Sequence, residues 1–154
     1  MLRLIQINNG REQVPDTVVL PKYGTGTFYY SVGLPLMLYS GAAVPLVQKP
    51  DYIAMSKCKN TDGEPLVAAF VGALPSGVRF EVDVKSGEDK ADFVVGDKVE
   101  FYLASDTEAD GYTSYEIFAT AADSGTSVAV VEDINYYSDD NKLIVRLIAP
   151  ESNA

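Results

Sequence analysis

The sequence predicts an all-β fold, a small β-barrel or β-sandwich with an extended N-terminal segment. Short runs rich in β-branched and aromatic residues recur along the chain, with Gly, Pro, Asn or Asp between them, a pattern typical of such folds. No window keeps the apolar spacing of three and four that a confident helix needs over about ten residues. We therefore divide the chain into residues 1–30, an extended arm with the first strands, and residues 31–154, the barrel or sandwich body.

The first half of the chain contains seven candidate strands. They are residues 2–7, 17–20, 27–30, 36–39, 43–44, 52–55 and 66–71. Pro21 ends the second run, and Ser40-Gly41 forms a turn between the fourth and the fifth. Residues 57–64 are expected to form a polar turn before the seventh run.

The clearest strand signal is the strict alternation from Val78 to Val84. It predicts a half-buried strand with Phe80 and its alternate neighbours in the core and Glu81 on the opposite face. Four further strands are expected at residues 98–103, 115–120, 127–131 and 142–148, with a turn at residues 139–141 before the last.

The composition argues against an enzyme. The chain has no His, no Trp and a single cysteine, Cys58. His is the usual general base near neutral pH and the commonest metal ligand, so we expect no catalytic residue, no metal site and no cofactor. One cysteine excludes an intramolecular disulfide and is typical of a cytosolic product. The apolar start is too short for a signal peptide and no run approaches the length of a membrane span, so no membrane partner is expected.

Charge is divided unevenly along the chain. Up to Phe80 there are seven basic and five acidic residues, a net +2, whereas from Glu81 onward there are five basic and seventeen acidic residues, a net −12. The acidic half argues against nucleic-acid binding. It is either a solvated surface that keeps the protein soluble, or one side of a polar molecule whose near-neutral N-terminal half docks on something large.

The acidic stretch Asp106–Gly111 begins like a calcium-binding loop, with oxygen ligands at alternate positions before a glycine. The match fails at position 12, where a bidentate glutamate is required and Ile117 stands. The sequence therefore favours an acidic loop between two strands.

Ten tyrosines are many for this length. Adjacent residues of a strand point to opposite faces, so the doublet Tyr29-Tyr30 is expected to place one ring inside and one outside. An exposed tyrosine suits a protein interface; a sugar-binding surface also uses aromatic rings, although the absence of Trp weakens that case. The apolar, proline-containing stretch from Val32 to Val47 is either a covered strand pair in the core or a surface covered by another subunit.

The order of several segments resembles the head decoration (cement) proteins of tailed bacteriophages. The segments are Gly33–Gly41, Pro50–Ser56, Gly63–Val71, Val78–Val82, the Gly-Asp-Lys-Val motif at residues 96–99, Val131–Ile134 and Lys142–Leu147. The resemblance implies a non-enzymatic virion protein, made in the host cytoplasm, that sits on the capsid exterior and contacts the lattice of the major capsid protein. It also implies a homo-oligomer, with a trimer favoured, and an N-terminal arm that grips the shell.

The charge division with the apolar N-terminal segment, the tyrosine doublet and the apolar stretch from Val32 to Val47 supply the candidate partner contacts. The candidates are Leu2, Arg3, Leu4, Ile5, Arg11, Tyr29, Leu36 and Leu38. Two other functions remain open: another head–tail or tail component of a phage, and a carbohydrate-binding β-sandwich.

Overall fold

The computed structural model describes residues 2–5, 16–45, 48–73, 78–122, 127–136 and 138–148, and the all-β prediction is confirmed. Within these ranges there are thirteen strands, two 3-10 helices and no α-helix. The strands are β1 (Arg3–Ile5), β2 (Thr17–Leu20), β3 (Tyr29–Tyr30), β4 (Pro35–Tyr39), β5 (Ala42–Pro45), β6 (Tyr52–Ala54), β7 (Cys58–Lys59), β8 (Leu66–Phe70), β9 (Arg79–Asp83), β10 (Lys98–Thr107), β11 (Thr113–Ala121), β12 (Ala129–Asp133) and β13 (Lys142–Leu147). The 3-10 helices are Val71–Ala73 and Lys90–Asp92; neither is long or apolar enough to cross a membrane.

The larger sheet has six strands in the order β1-β9-β13-β12-β10-β11, and every neighbouring pair is antiparallel. It curls into a half barrel. The curl brings the end of β9 back to β11, where Val84 forms a bridge with Ala119 and the amide of Lys85 donates to the Ala119 carbonyl at 2.9 Å.

The second sheet has five antiparallel strands in the order β2-β8-β6-β4-β5. A separate ribbon of β3 and β7 joins the edge of the larger sheet through a bridge between Phe28 and Thr113. The ribbon therefore places Tyr29 beside the hairpin that connects β10 and β11.

The core lies between the two sheets and is centred on aromatic residues. Phe28 packs edge-on against Tyr30 at 5.0 Å and against Tyr115 at 5.8 Å between ring centroids. Tyr30 is fully buried, and its hydroxyl donates to the Ala43 carbonyl at 2.6 Å and accepts from the Tyr23 amide at 3.0 Å. Burial raises the pKa of the Tyr30 hydroxyl. Tyr29, by contrast, is only half-buried, so this doublet divides between inside and outside as predicted.

The N-terminal segment contributes strands to both sheets. β1 pairs with β9 at the edge of the six-stranded sheet, and β2 pairs with β8 at the edge of the five-stranded sheet. Leu2 is 2% exposed and belongs to the core. Its backbone lies so close to Gly33 that a Cβ at position 33 would stand 2.0 Å from the Leu2 carbonyl oxygen. Part of the segment expected to be an arm is therefore integrated into the body.

Two local predictions need correction. Glu81 lies on the face opposite Phe80, as predicted, but it is buried at 4% exposure instead of facing solvent, because Arg3 of β1 and Lys142 of β13 flank it, with nitrogens 3.4 Å and 3.7 Å from its Oε1. The expected polar turn at residues 57–64 contains β7, since Cys58 and Lys59 pair with Tyr30 and Tyr29. Both differences arise from pairing with distant segments of the chain.

Candidate functional site

The strands of the two large sheets differ in their content of charged residues. The five strands of the smaller sheet contain no Asp, Glu, Lys or Arg. The strands of the larger sheet carry both signs, with acidic residues in excess. Those charged residues are Arg3, Arg79, Glu81, Asp83, Lys98, Glu100, Asp106, Glu116, Glu132, Asp133, Lys142 and Arg146.

The smaller sheet has one face in the core and a second face that is also apolar. Register and alternation place Leu36, Ala54 and Ala68 on the core face, where all three are buried. The opposite face, which we call the apolar sheet face, consists of Thr17, Val19, Pro35, Met37, Tyr39, Ala42, Val44, Ile53, Val67 and Ala69.

Exposure on the apolar sheet face is concentrated at its two ends. Ile53 and Ala69 in the middle are 2% and 1% exposed, whereas Val19 is 67% and Tyr39 is 56% exposed. The buried middle divides the exposed apolar side chains into two small patches, at Val19 and at Tyr39, and these are the parts of the face that a partner can contact. The described part of the stretch from Val32 to Val47, residues 32–45, is therefore partly core and partly surface.

The structure separates the candidate contacts predicted from the sequence. Leu2 and Leu36 pack in the protein's own core at 2% and 0% exposure, so we remove them from the set of surface contacts. Leu38 is 41% exposed. Arg3 is exposed and donates to Glu81. Tyr29 is half-buried and lines a cleft.

Three candidate contacts remain undescribed. The side chains of Leu4 and Ile5, and all of Arg11, lie outside the described part of the chain. Of the described candidates, Arg3 and Leu38 are exposed and Tyr29 is half-buried, and the three lie on three different sheets.

The cleft beside Tyr29 has a volume of about 550 Å³, within the range of roughly 300–1,000 Å³ that small-molecule sites occupy. We call it the hairpin cleft, because the loop between β10 and β11 forms one wall. Buried Leu34 and Ile117 contribute its apolar lining. The polar lining includes Lys57, Glu108, Asp110 and Glu116.

A bonded network fixes the tyrosine side of the cleft. The Tyr29 hydroxyl donates to Asp110 Oδ2, which also receives Lys59 Nζ at 3.1 Å. Lys59 Nζ lies 4.3 Å from the ring centroid of Tyr112, and the rings of Tyr29 and Tyr112 are 5.5 Å apart. The Tyr112 hydroxyl shares a hydrogen bond of 2.9 Å with Thr61. Tyr29 is therefore held by the β10–β11 hairpin and by Lys59 of β7.

The electrostatics of this network centre on Asp110. The hydrogen bond from Tyr29, with help from the Tyr112 amide, lowers the pKa of Asp110 to about 2. The same bond raises the pKa of Tyr29, and Asp110 also raises the pKa of Lys59. At neutral pH the carboxylate is ionised and its negative charge is matched by Lys59, so this pair adds little net charge to the cleft.

Other polar side chains that line the cleft can still form hydrogen bonds with a ligand. Glu108 accepts from the Ser114 hydroxyl at 2.6 Å through Oε1. Lys57 lies over the Tyr29 ring at 5.7 Å. Among the described residues, neither Lys57 nor Glu116 forms a salt bridge.

Two residues that the sequence analysis did not single out, Lys22 and Asn60, hold together the loops next to the β3–β7 ribbon. Lys22 Nζ bonds the carbonyls of Lys59, Asp62 and Glu64 at 3.0, 2.6 and 2.6 Å. Asn60 accepts from the Phe28 amide at 3.1 Å and donates to the Gly26 carbonyl at 2.8 Å. These bonds join the loops on either side of the ribbon, and no motif in the sequence marks them.

The described residues hold no group of three or more His, Cys, Asp or Glu side chains that would fit a metal ion. Cys58 is buried, and desolvation raises the pKa of its thiol, which lowers its reactivity. Asp106 lies at the end of β10, and the acidic stretch continues into a tight hairpin with Gly111 at φ 84°.

The chain matches no protein-family model, and searches of curated proteins and of solved structures found no significant match.

Proposed function

We propose that this protein is a non-enzymatic virion component that decorates and stabilises a bacteriophage capsid from the outside. The observation that carries the proposal is the segregation of charged residues: the strands of one sheet contain none, while the strands of the other sheet contain seven acidic and five basic residues. Such a molecule suits docking through the apolar sheet face on an apolar strip of the major capsid protein, with the charged sheet turned to solvent.

The chemistry of this face favours a protein partner over a charged one. Burying apolar surface contributes about 25 cal/mol per Å², and a face without charges loses no charge solvation on docking. A lattice presents many copies of one site. A homo-oligomer, with a trimer favoured by the resemblance, then gains avidity from several weak contacts at once.

The test compares two exposed valines by co-sedimentation with empty capsids of the major capsid protein. Val19→Asp changes the apolar sheet face, where Val19 is 67% exposed, and Val95→Asp changes a loop residue that is 62% exposed. We expect Val19→Asp to abolish decoration and Val95→Asp to leave it intact. Binding by the unchanged protein is expected to vary little with salt, because apolar contacts are not screened.

Full occupancy by the Val19→Asp variant would overturn the role of this face. Light scattering of the free protein measures the oligomeric state, and a monomer would remove the multivalent part of the proposal. Binding of only a few copies per capsid would instead assign the protein to the head–tail junction or the tail.

A further inference from the structure

We propose that the hairpin cleft binds a neutral saccharide of one or two rings. This site is independent of the proposed capsid contact, because no strand of the five-stranded sheet lines it. It also adds a ligand that the decoration role does not require.

The charged residues that line the cleft indicate whether its ligand is anionic, cationic or neutral. An anion such as a sugar phosphate would meet three carboxylates, those of Glu108, Asp110 and Glu116, and only one of them is matched by Lys59. A cation would be attracted by Glu108 and Glu116 but would be repelled by Lys57, whose Nζ already lies over the Tyr29 ring, 5.7 Å from its centroid. A ligand without net charge avoids both repulsions.

Hydrogen bonding narrows the neutral ligands to polyhydroxylated ones. Glu108 and Glu116 provide acceptors only, whereas Lys57 provides donors only. A hydroxyl group both donates and accepts, so one sugar ring can satisfy both kinds of group. A purely apolar ligand would leave these charges desolvated and without partners, which is costly.

The apolar part of the lining fits the C–H faces of a sugar. Leu34 and Ile117 line the cleft but are only 2% and 0% exposed, so the apolar surface that a sugar can contact is that of the half-buried rings of Tyr29 and Tyr115. Tyr29 is fixed by its bond to Asp110, and Tyr115 by its packing on Phe28. Because both rings are held before a ligand arrives, little side-chain entropy is lost on binding.

The test is an amide NMR titration of the full chain with cellobiose, maltose, lactose and N,N′-diacetylchitobiose at millimolar concentration. At least one of these disaccharides is expected to give saturable shifts at residues 108–110 and 114–117. Glucose 6-phosphate and glucosamine serve as anionic and cationic probes and are expected to bind less tightly. Glu116→Ala should weaken binding about tenfold, since a hydrogen bond to a charged group is lost.

Asp92→Ala removes an exposed carboxylate outside the cleft and is the matched control, for which no change in affinity is expected. The proposal is overturned if none of the four disaccharides shifts these amides, or if a charged probe binds more tightly than all of them. It is also overturned if Asp92→Ala and Glu116→Ala weaken binding equally. Capsid decoration by Glu116→Ala is measured in parallel, so that failure of one proposal is distinguishable from failure of the other.

Discussion

Phe80 and Glu81 are neighbours on β9 that test the two faces of the six-stranded sheet. Phe80 is 5% exposed in the core, so Phe80→Ala is expected to lower the free energy of unfolding by about 3–5 kcal/mol. Glu81 is also buried and accepts from Arg3. Glu81→Ala removes a buried bonded carboxylate and is expected to cost about 1–3 kcal/mol. Urea denaturation measures both values.

Asp83 provides the control on the same strand and the same face as Glu81. Its side chain is 40% exposed and its contact with Lys142 is 3.8 Å long, so Asp83→Ala should cost less than about 0.5 kcal/mol. Equal effects of Asp83→Ala and Glu81→Ala would contradict the structural role of Glu81.

Alternation in the sequence was sufficient to place Phe80 in the core. The burial of Glu81 was not predictable in this way, because it depends on Arg3 and Lys142, which lie 78 and 61 residues away in the chain.

Tyr29 and Asp110 give a prediction for pH. The pKa of Asp110 falls from 3.8 to about 2 in the folded protein, so the folded state favours its ionised form. This stabilisation is fully present above the unfolded pKa and is lost as the pH falls through the folded pKa. Carboxyl-carbon NMR of the intact protein should give an Asp110 midpoint near 2, and Tyr29→Phe should move it upward because the main hydrogen bond is removed.

Tyr102→Phe is the control for that titration, since Tyr102 is an exposed tyrosine outside the cleft. It should leave the Asp110 midpoint unchanged. An unchanged midpoint in Tyr29→Phe would mean that the hydrogen bond is not formed in solution.

At the scale of elements, the sequence pattern predicted the bounds of a strand well where a proline ends it. Residues 17–20 form β2 with the predicted bounds, because Pro21 cannot continue the ladder. β10 runs on to Thr107, beyond the predicted end at residue 103, because it pairs with β11 along its full length. β7 was missed because its two residues are polar or small and pair only with β3.

The turn between β4 and β5 gives a testable prediction for the stability of the hairpin. Ser40 and Gly41 have φ values of 50° and 78°, and two consecutive positive values are typical of the tight hairpin turn that matches strand twist. A Cβ on Gly41 would meet no atom within 4 Å, so Gly41→Ala tests backbone strain alone. It is expected to cost about 1–2 kcal/mol, measured by thermal unfolding.

Gly24→Ala is the matched control for this turn. Position 24 also has open space around the Cβ, but its φ lies outside the left-handed region. The substitution should be neutral or stabilising by up to about 1 kcal/mol, because it restricts the unfolded chain. A loss of stability as large as that of Gly41→Ala would show that strain at residue 41 is not the cause.

For the whole molecule, the charge of each half of the sequence predicted a polar arrangement; in the structure the strands of one sheet lack charged residues, and those of the other carry charges of both signs. The cleft was not predictable in the same way. It combines Tyr29 of β3 with Lys57 and with the hairpin after β10, and these segments meet only because β3 bridges to β11 through Phe28 and Thr113. Of the proposed contacts that the structure describes, only Tyr29 lies in the cleft.

The N-terminal strand provides the test of how the whole molecule is held together. A chain that starts at residue 6 lacks β1 and Leu2, so β9 becomes an edge strand with β13 as its remaining neighbour. Loss of the buried Leu2 side chain alone is expected to cost about 2–5 kcal/mol, and Leu2→Ala in the full chain measures that part. Hydrogen exchange should show lost protection at the amides of β9, whereas the amides of β8, which pair with β2 and β6, should stay protected.

Unchanged protection of β9 and unchanged stability would mean that residues 1–5 are not integral to the sheet in solution. Those residues would then be available to grip a capsid as an arm, as the resemblance to decoration proteins implies.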